Sequence, residues 1–154
     1  MQYIHYGSNC FDRERFMPVK NRPDMIKPDG GLWASRENAK YGWYQWAKNI
    51  RNFAPSLETS FEFSLADNAR ILLIDNIMQL DGLPKNEKTI FSVFPALSSI
   101  SASSLWTFLD FELLSESYDA IEVLISEDRR LYDQLFTWDC DSILVTNPNI
   151  IIPA

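Results

Sequence analysis

The spacing of apolar and polar positions changes several times along the chain, and each change marks an element. Phe61, Phe63 and Leu65 alternate with Ser60, Glu62 and Ser64, the period of two expected of a strand with one buried face. Ala39, Trp43, Trp46, Ala47 and Ile50 recur at helical spacing, so Arg36 to Asn52 predicts a helix with one buried stripe. Ser35 stands before it as an N-cap and Glu37 sits in its first turn, where the helix dipole favours an acid. Pro55 closes the segment. Arg70 to Asp75 is a nearly continuous apolar run, as expected of a strand covered on both faces.

Other stretches carry weaker patterns. Residues 2–8 are rich in strand formers, and a second strand, 31–34, is entered through Gly30-Gly31. Tyr118 to Ile125 and Ser142 to Val145 complete the strand-like runs. Asn76 to Leu83 predicts a short helix, and Pro84 to Thr89 a polar loop. Ile90 to Ile100 fits neither period. Ser103 or Ser104 is placed to cap a helix through Leu114 that buries Leu105, Phe108, Leu109 and Leu113. Ser126 is placed to cap another, with Glu127 and Asp128 in its first turn and Leu131, Leu135 and Phe136 facing inward. Asp67-Asn68 and Asn147-Pro148-Asn149 read as turns, the second before an apolar tail at 150–152. Residues 9–29 hold Pro18, Pro23, Pro28 and many charges, and read as a long loop with one helical turn near Arg13. Loops of that length in compact domains are more often functional than accidental. About six strands and three or four helices predict one α+β domain over residues 1–154.

Composition narrows the partners. The chain has 154 residues, 46% hydrophobic and 23% charged, in the range of ordinary globular domains. Its net charge of −7 argues against a nucleic-acid backbone as partner, since phosphate neutralisation needs clustered Lys and Arg. Basic residues do gather in Arg13 to Lys27, but acids are mixed among them. Two cysteines, Cys10 and Cys140, and one histidine offer no zinc-site spacing, so no metal is expected. The N-terminus shows no basic segment followed by an apolar one, and no apolar run approaches a membrane span. A cytoplasmic protein with reduced thiols is the expectation.

Candidate chemistry gathers at strand ends. The Gly30-Gly31 pair would let a ligand approach the backbone. Trp33 offers a flat stacking face and Ser35 a hydroxyl at the corner before the predicted helix. Asp139 and Asp141 flank Cys140 just before a strand, and Glu122 interrupts an apolar strand run. A carboxylate buried there without a partner would be costly, which makes Glu122 a candidate functional acid.

Three of these pieces, in this order, resemble the ADP-ribosyltransferase-like domains of poly-ADP-ribose polymerases, bacterial toxins and phage effectors. Tyr6-Gly7-Ser8 is similar to the family's His-Gly-Ser or Arg-Gly strand. Gly31-Leu32-Trp33-Ala34-Ser35, followed by Ala39-Lys40-Tyr41, is similar to its Gly-Ile-Tyr-Phe-Ala strand and downstream Ala-x-Tyr. Asp141 to Val145, followed by Asn147-Pro148-Asn149-Ile150, is similar to the closing strand that opens with the catalytic Glu. Departures are visible. Tyr6 stands where the family has His or Arg, with His5 one place earlier. Trp33 replaces Tyr, and Asp141 replaces Glu. Neighbours on a strand point to opposite faces, so without a bulge only one of His5 and Tyr6 can face a given ligand.

The resemblance implies a split sheet and displacement at the nicotinamide ribose of NAD, used as a substrate with no metal. The transition state is oxocarbenium-like, so a fixed carboxylate there stabilises developing positive charge. Asp141 would take that role and Asp139 would orient or deprotonate the acceptor, with His5 and Glu122 as further catalytic candidates. Tyr6, Gly7, Ser8, Gly31, Trp33, Ser35 and Tyr41 would bind NAD, Trp33 and Tyr41 stacking on the nicotinamide ring. Two functions follow. One is a mono-ADP-ribosyltransferase acting on a protein or nucleic-acid acceptor. The other is a catalytically silent acidic binding or inhibitor protein on the same fold, of phage or bacterial type.

Overall fold

In a computed structural model of the chain, which describes residues 1–94 and 106–154, seven strands form one mixed sheet. They are β1 (Gln2–Tyr6), β2 (Leu32–Arg36), β3 (Ser60–Leu65), β4 (Ile71–Ile74), β5 (Ala120–Val123), β6 (Ser142–Val145) and β7 (Ile151–Pro153). Their order is β4-β5-β6-β2-β1-β3-β7. Only β4 and β5 pair in parallel; every other neighbouring pair is antiparallel. Among the described residues the α-helices are short: α1 (Trp43–Ala47), α2 (Ile90–Val93), α3 (Phe111–Ser117) and α4 (Arg130–Gln134). The α+β class follows directly. Among the described residues no helix is long and apolar enough to cross a membrane.

The sheet centre carries the core. Every residue of β5 and β6 is buried, because both faces of these strands are covered. Ile121, Val123 and Leu144 join one cluster with Phe111, Leu114, Leu131, Leu135 and Trp138. Ala120, Ile143 and Val145 alternate onto the opposite face, with Tyr3, Leu32, Ala34, Phe63 and Ile150. Each fully buried large side chain contributes about 1.5–3 kcal/mol of transfer free energy.

The alternating run Ser60 to Leu65 is β3, with Phe63 fully buried. The apolar run expected between Arg70 and Asp75 is shortened to β4 and lies at the sheet edge. There Ile71 and Leu73 are 40% and 37% exposed, so the run is not covered on both faces. The apolar tail adds β7 at the other edge. The opening strand stops at Tyr6, since Gly7 turns the chain at a φ of 109°.

The helix expected over Arg36 to Asn52 shrinks to α1. Arg36 remains in β2, and the Glu37 amide donates to the Gln2 carbonyl, so the chain is still held to β1. Gly42 then fits a gap in which a Cβ would lie 2.9 Å from those of Ala39 and Ser35. Ser35 still caps the helix, from eight residues upstream: its hydroxyl accepts the Trp43 amide at 2.8 Å.

The cap expected at Ser103 or Ser104, and Leu105, lie outside the described residues. The helix nearest that expectation, α3, begins at Phe111 instead. Asp110 caps it, accepting from the Leu113 amide at 3.0 Å, and Asn21 of the long loop donates to the same carboxylate oxygen at 2.7 Å. Leu109 is buried as expected, while Leu113 is exposed. Ser126 does not cap α4, because its amide and hydroxyl are bound elsewhere. Leu131 and Leu135 face inward, but Phe136 is exposed and stacks on Trp106.

Candidate functional site

The pairing of β1 with β2 covers only Tyr3↔Arg36 and Ile4↔Ser35. Beyond it, the His5 ring takes the place of a ladder bond. Nδ1–H donates to the Trp33 carbonyl at 2.7 Å. Beside this opening lies a cavity of about 240 Å³ lined by Ile4, His5, Tyr6, Lys27, Trp33, Ala34, Ser35, Trp43 and Ser142. His5 and Tyr6 both reach it, so the choice between them does not arise. A second hollow of about 250 Å³ shares Ile4, Tyr6, Ser35 and Trp43 with the first and continues to Arg36, Glu37, Tyr44 and Gln45.

The long loop delivers Lys27. Its course is fixed by a two-way backbone bridge between Lys20 and Asp29, by the Gly31 amide on the Met17 carbonyl, and by buried Ile26. The Lys27 amide donates to Thr137 Oγ1 at 3.3 Å. Thr137 itself sits at a φ of 87°, a strained setting for a β-branched residue. Lys27 Nζ lies 4.3 Å from the Trp33 ring centroid and 5.9 Å from that of Trp43. Among the described residues it makes no hydrogen bond and no ion pair. Burial pushes its pKa down, against a weaker upward pull from Cys140 and Asp139. His5 is also lowered by burial, opposed by its bond to the Trp33 carbonyl, so it is neutral at pH 7 with Nε2 as an acceptor. Trp33 is backed edge-on by the buried Trp138, ring centroids 4.8 Å apart.

The expected carboxylates lie elsewhere. Asp141 is 3% exposed. Its Oδ1 accepts the Ser126 amide at 2.8 Å, and its Oδ2 accepts the Ser126 hydroxyl at 2.6 Å and the Tyr41 amide at 3.3 Å. The Asp141 carbonyl accepts the Ser35 hydroxyl at 2.8 Å, and its amide donates to the Tyr41 carbonyl at 2.8 Å. Ser35, Tyr41 and Asp141 therefore converge, but on one another. Ser142, the next residue, faces the cavity instead. Glu122 is 3% exposed and bonded by both oxygens to Arg36, at 2.7 and 2.5 Å. Beside that pair the Tyr3 hydroxyl is pushed up to about 12, chiefly by burial and then by Glu122. Asp139 lines a separate hollow of about 460 Å³ with Tyr41, Trp46, Ser126, Arg129 and Tyr132. Burial raises its pKa, countered by Lys27.

The glycine pair serves packing. A Cβ on Gly30 would lie 2.3 Å from the Pro18 carbonyl oxygen, and one on Gly31 2.3 Å from Leu144 Cδ1. Ser8 and Gly31 line a further hollow beside Phe11, Arg15 and Phe61. Gly7 does not line the cavity; its amide donates to the Thr59 carbonyl at 2.9 Å. The structure thus brings His5, Tyr6, Trp33 and Ser35 to one cavity and leaves Tyr41, Gly7, Ser8, Gly31 and the three acids Glu122, Asp139 and Asp141 outside it. Sequence reasoning missed Lys27 and assigned Trp43 to a buried stripe.

Comparison of the chain with protein-family models, with curated proteins and with solved structures finds no match.

Proposed function

We propose that this protein binds a small, flat, polar ring compound in the cavity between β1, β2 and α1, on an arrangement similar to the ring-binding half of an ADP-ribosyltransferase-like site. One observation carries the reading. Two indoles, a neutral imidazole with a spare acceptor and an amine converge on an aromatic-lined cavity of about 240 Å³. Such sites, mostly apolar with a few convergent polar groups, suit small ligands. NAD is the ligand that the resemblance implies. On that reading its nicotinamide ring would enter this chamber and the adjoining polar hollow would take the rest.

Binding without transfer is the better-supported form. Ring release from NAD needs a buried, fixed carboxylate at the ribose. Among the described residues no acid lines the inner cavity, and the one acid of the adjoining hollow, Glu37, is exposed. Asp141 would have to give up three donors to reach a ligand. Transfer remains the second reading for one reason: the three stretches that carry the resemblance lie on neighbouring strands β1, β2 and β6. A macromolecular acceptor belongs only to that reading.

The test is calorimetric titration of NAD, nicotinamide and nicotinate onto the protein and onto Trp33→Ala. Saturable binding of at least one, lost in the variant, supports the cleft. No binding of any of the three at millimolar concentration overturns it. Nicotinamide release from NAD that disappears in a folded Asp141→Asn variant would establish transfer instead.

A further inference from the structure

Resting on the ring-binding reading, we propose that the ring bound in this cavity carries an anionic substituent of the aromatic carboxylate class, and that Lys27 is its counter-charge. Among the described residues Lys27 is the only ionised side chain on the wall, since His5 is neutral and no acid faces the space. Its ammonium has three donors. Among the described residues none of the three meets a protein acceptor, and its close neighbours are the Trp33 and Trp43 rings. Aromatic faces attract a cation but accept no conventional hydrogen bonds from it. A charge held away from bulk water without hydrogen-bonded compensation is costly. A carboxylate on the ligand supplies both the opposite charge and the missing acceptors.

Asp139 does not already fill this place. It feels Lys27 electrostatically, but forms no ion pair with it and opens onto the other hollow. Thr137 and the Lys20–Asp29 bridge hold its backbone, and the amine lies over the Trp33 ring with the Trp43 ring further off. The same charge opposes the pyridinium ring of oxidised NAD, which makes a carboxylated ring the better occupant of the inner chamber. His5 Nε2, an acceptor, would take a ring N–H or a hydroxyl.

Nicotinate and nicotinamide differ chiefly in this one charge, so they are the probes. Calorimetry on the intact chain should show nicotinate binding at least about tenfold tighter than nicotinamide, a difference of about 1.4 kcal/mol. Lys27→Met should abolish that preference by bringing nicotinate down to the affinity of nicotinamide, and Lys27→Arg should keep it. Equal or better binding of nicotinamide by the native protein would overturn the inference and leave the ring-binding reading standing. So would a preference that survives Lys27→Met. If neither ring binds, and NAD does not, the ring-binding reading itself has failed. A thermal melt of each variant separates loss of the site from loss of the fold.

Discussion

Two polar regions lie on either side of Ser35, and they differ in how completely their hydrogen bonds are made. At the Asp141 corner every carboxylate oxygen has a donor, and Ser126, Tyr41 and Ser35 close on the same residue. At the Lys27 cavity the amine and one imidazole nitrogen have no protein partner among the described residues. The first arrangement is complete without a ligand and joins β2, β6 and the turn before α1. The second leaves an amine and an imidazole nitrogen without a partner among those residues, and so carries the proposal of a ligand. An acid in a motif-like position is therefore weaker evidence of chemistry than a polar group left unpaired in a cavity.

Mutations can break this comparison, beginning with the largest effect. Asp141→Ala should cost about 3 kcal/mol, because three part-buried donors lose their acceptor together. Urea unfolding measures it, and native-like stability of that variant would remove Asp141 from the scaffold. Glu122→Gln should cost about 2 kcal/mol, since it leaves the Arg36 guanidinium without its anion. Replacing both partners, Arg36→Met with Glu122→Leu, should recover most of that loss. Lys27→Met should change stability by less than about 1 kcal/mol, as lost cation–π attraction offsets relief of an unpaired charge.

The smallest effect is one of pH. Because the folded-state pKa of His5 lies below its ordinary value of 6.5, the unfolded chain binds the extra proton first as pH falls. Stability should be unaffected by His5 above pH 6.5 and decline below it, down to the folded pKa, with a slope of at most one proton. His5→Gln should flatten that decline in denaturant titrations. Asp119, held low by Arg70 and Asn147, acts in a separate window: its contribution is present above about pH 3.8 and lost below that value.

Much of the sheet was legible because its pattern is set by burial. β3 shows a period of two, and β5 and β6 show mostly apolar runs, interrupted only by Glu122 and opened by Ser142. The helices were less legible because their end signals were taken by distant partners. Ser126 reads as a cap, yet Asp141, fifteen residues on, claims it. Arg36 reads as the first helical residue, yet Glu122 holds it in β2. The resemblance at Tyr6-Gly7-Ser8 brought in His5, and a flat ring beside the glycine pair brought in Trp33, whereas nothing local marks Lys27 among the charges of residues 9–29. Its place is decided by Thr137, far along the chain. The β7 strand was read only as an apolar tail, because its three residues gain strand character from pairing with β3.

The chain has five tryptophans, and their indole N–H signals in a two-dimensional NMR spectrum of the isotope-labelled protein report on both regions at once. Trp33 and Trp43 line the cavity, while Trp46 lines the hollow that holds Tyr41 and Asp139. Titration with nicotinate should move the Trp33 and Trp43 signals saturably, and further than that of Trp46, which feels the ligand only through its 4.8 Å contact with Trp43. Movement of Trp46 with Trp33 and Trp43 unmoved would contradict the account, because it would put the ligand on the acid side that the structure reads as scaffold.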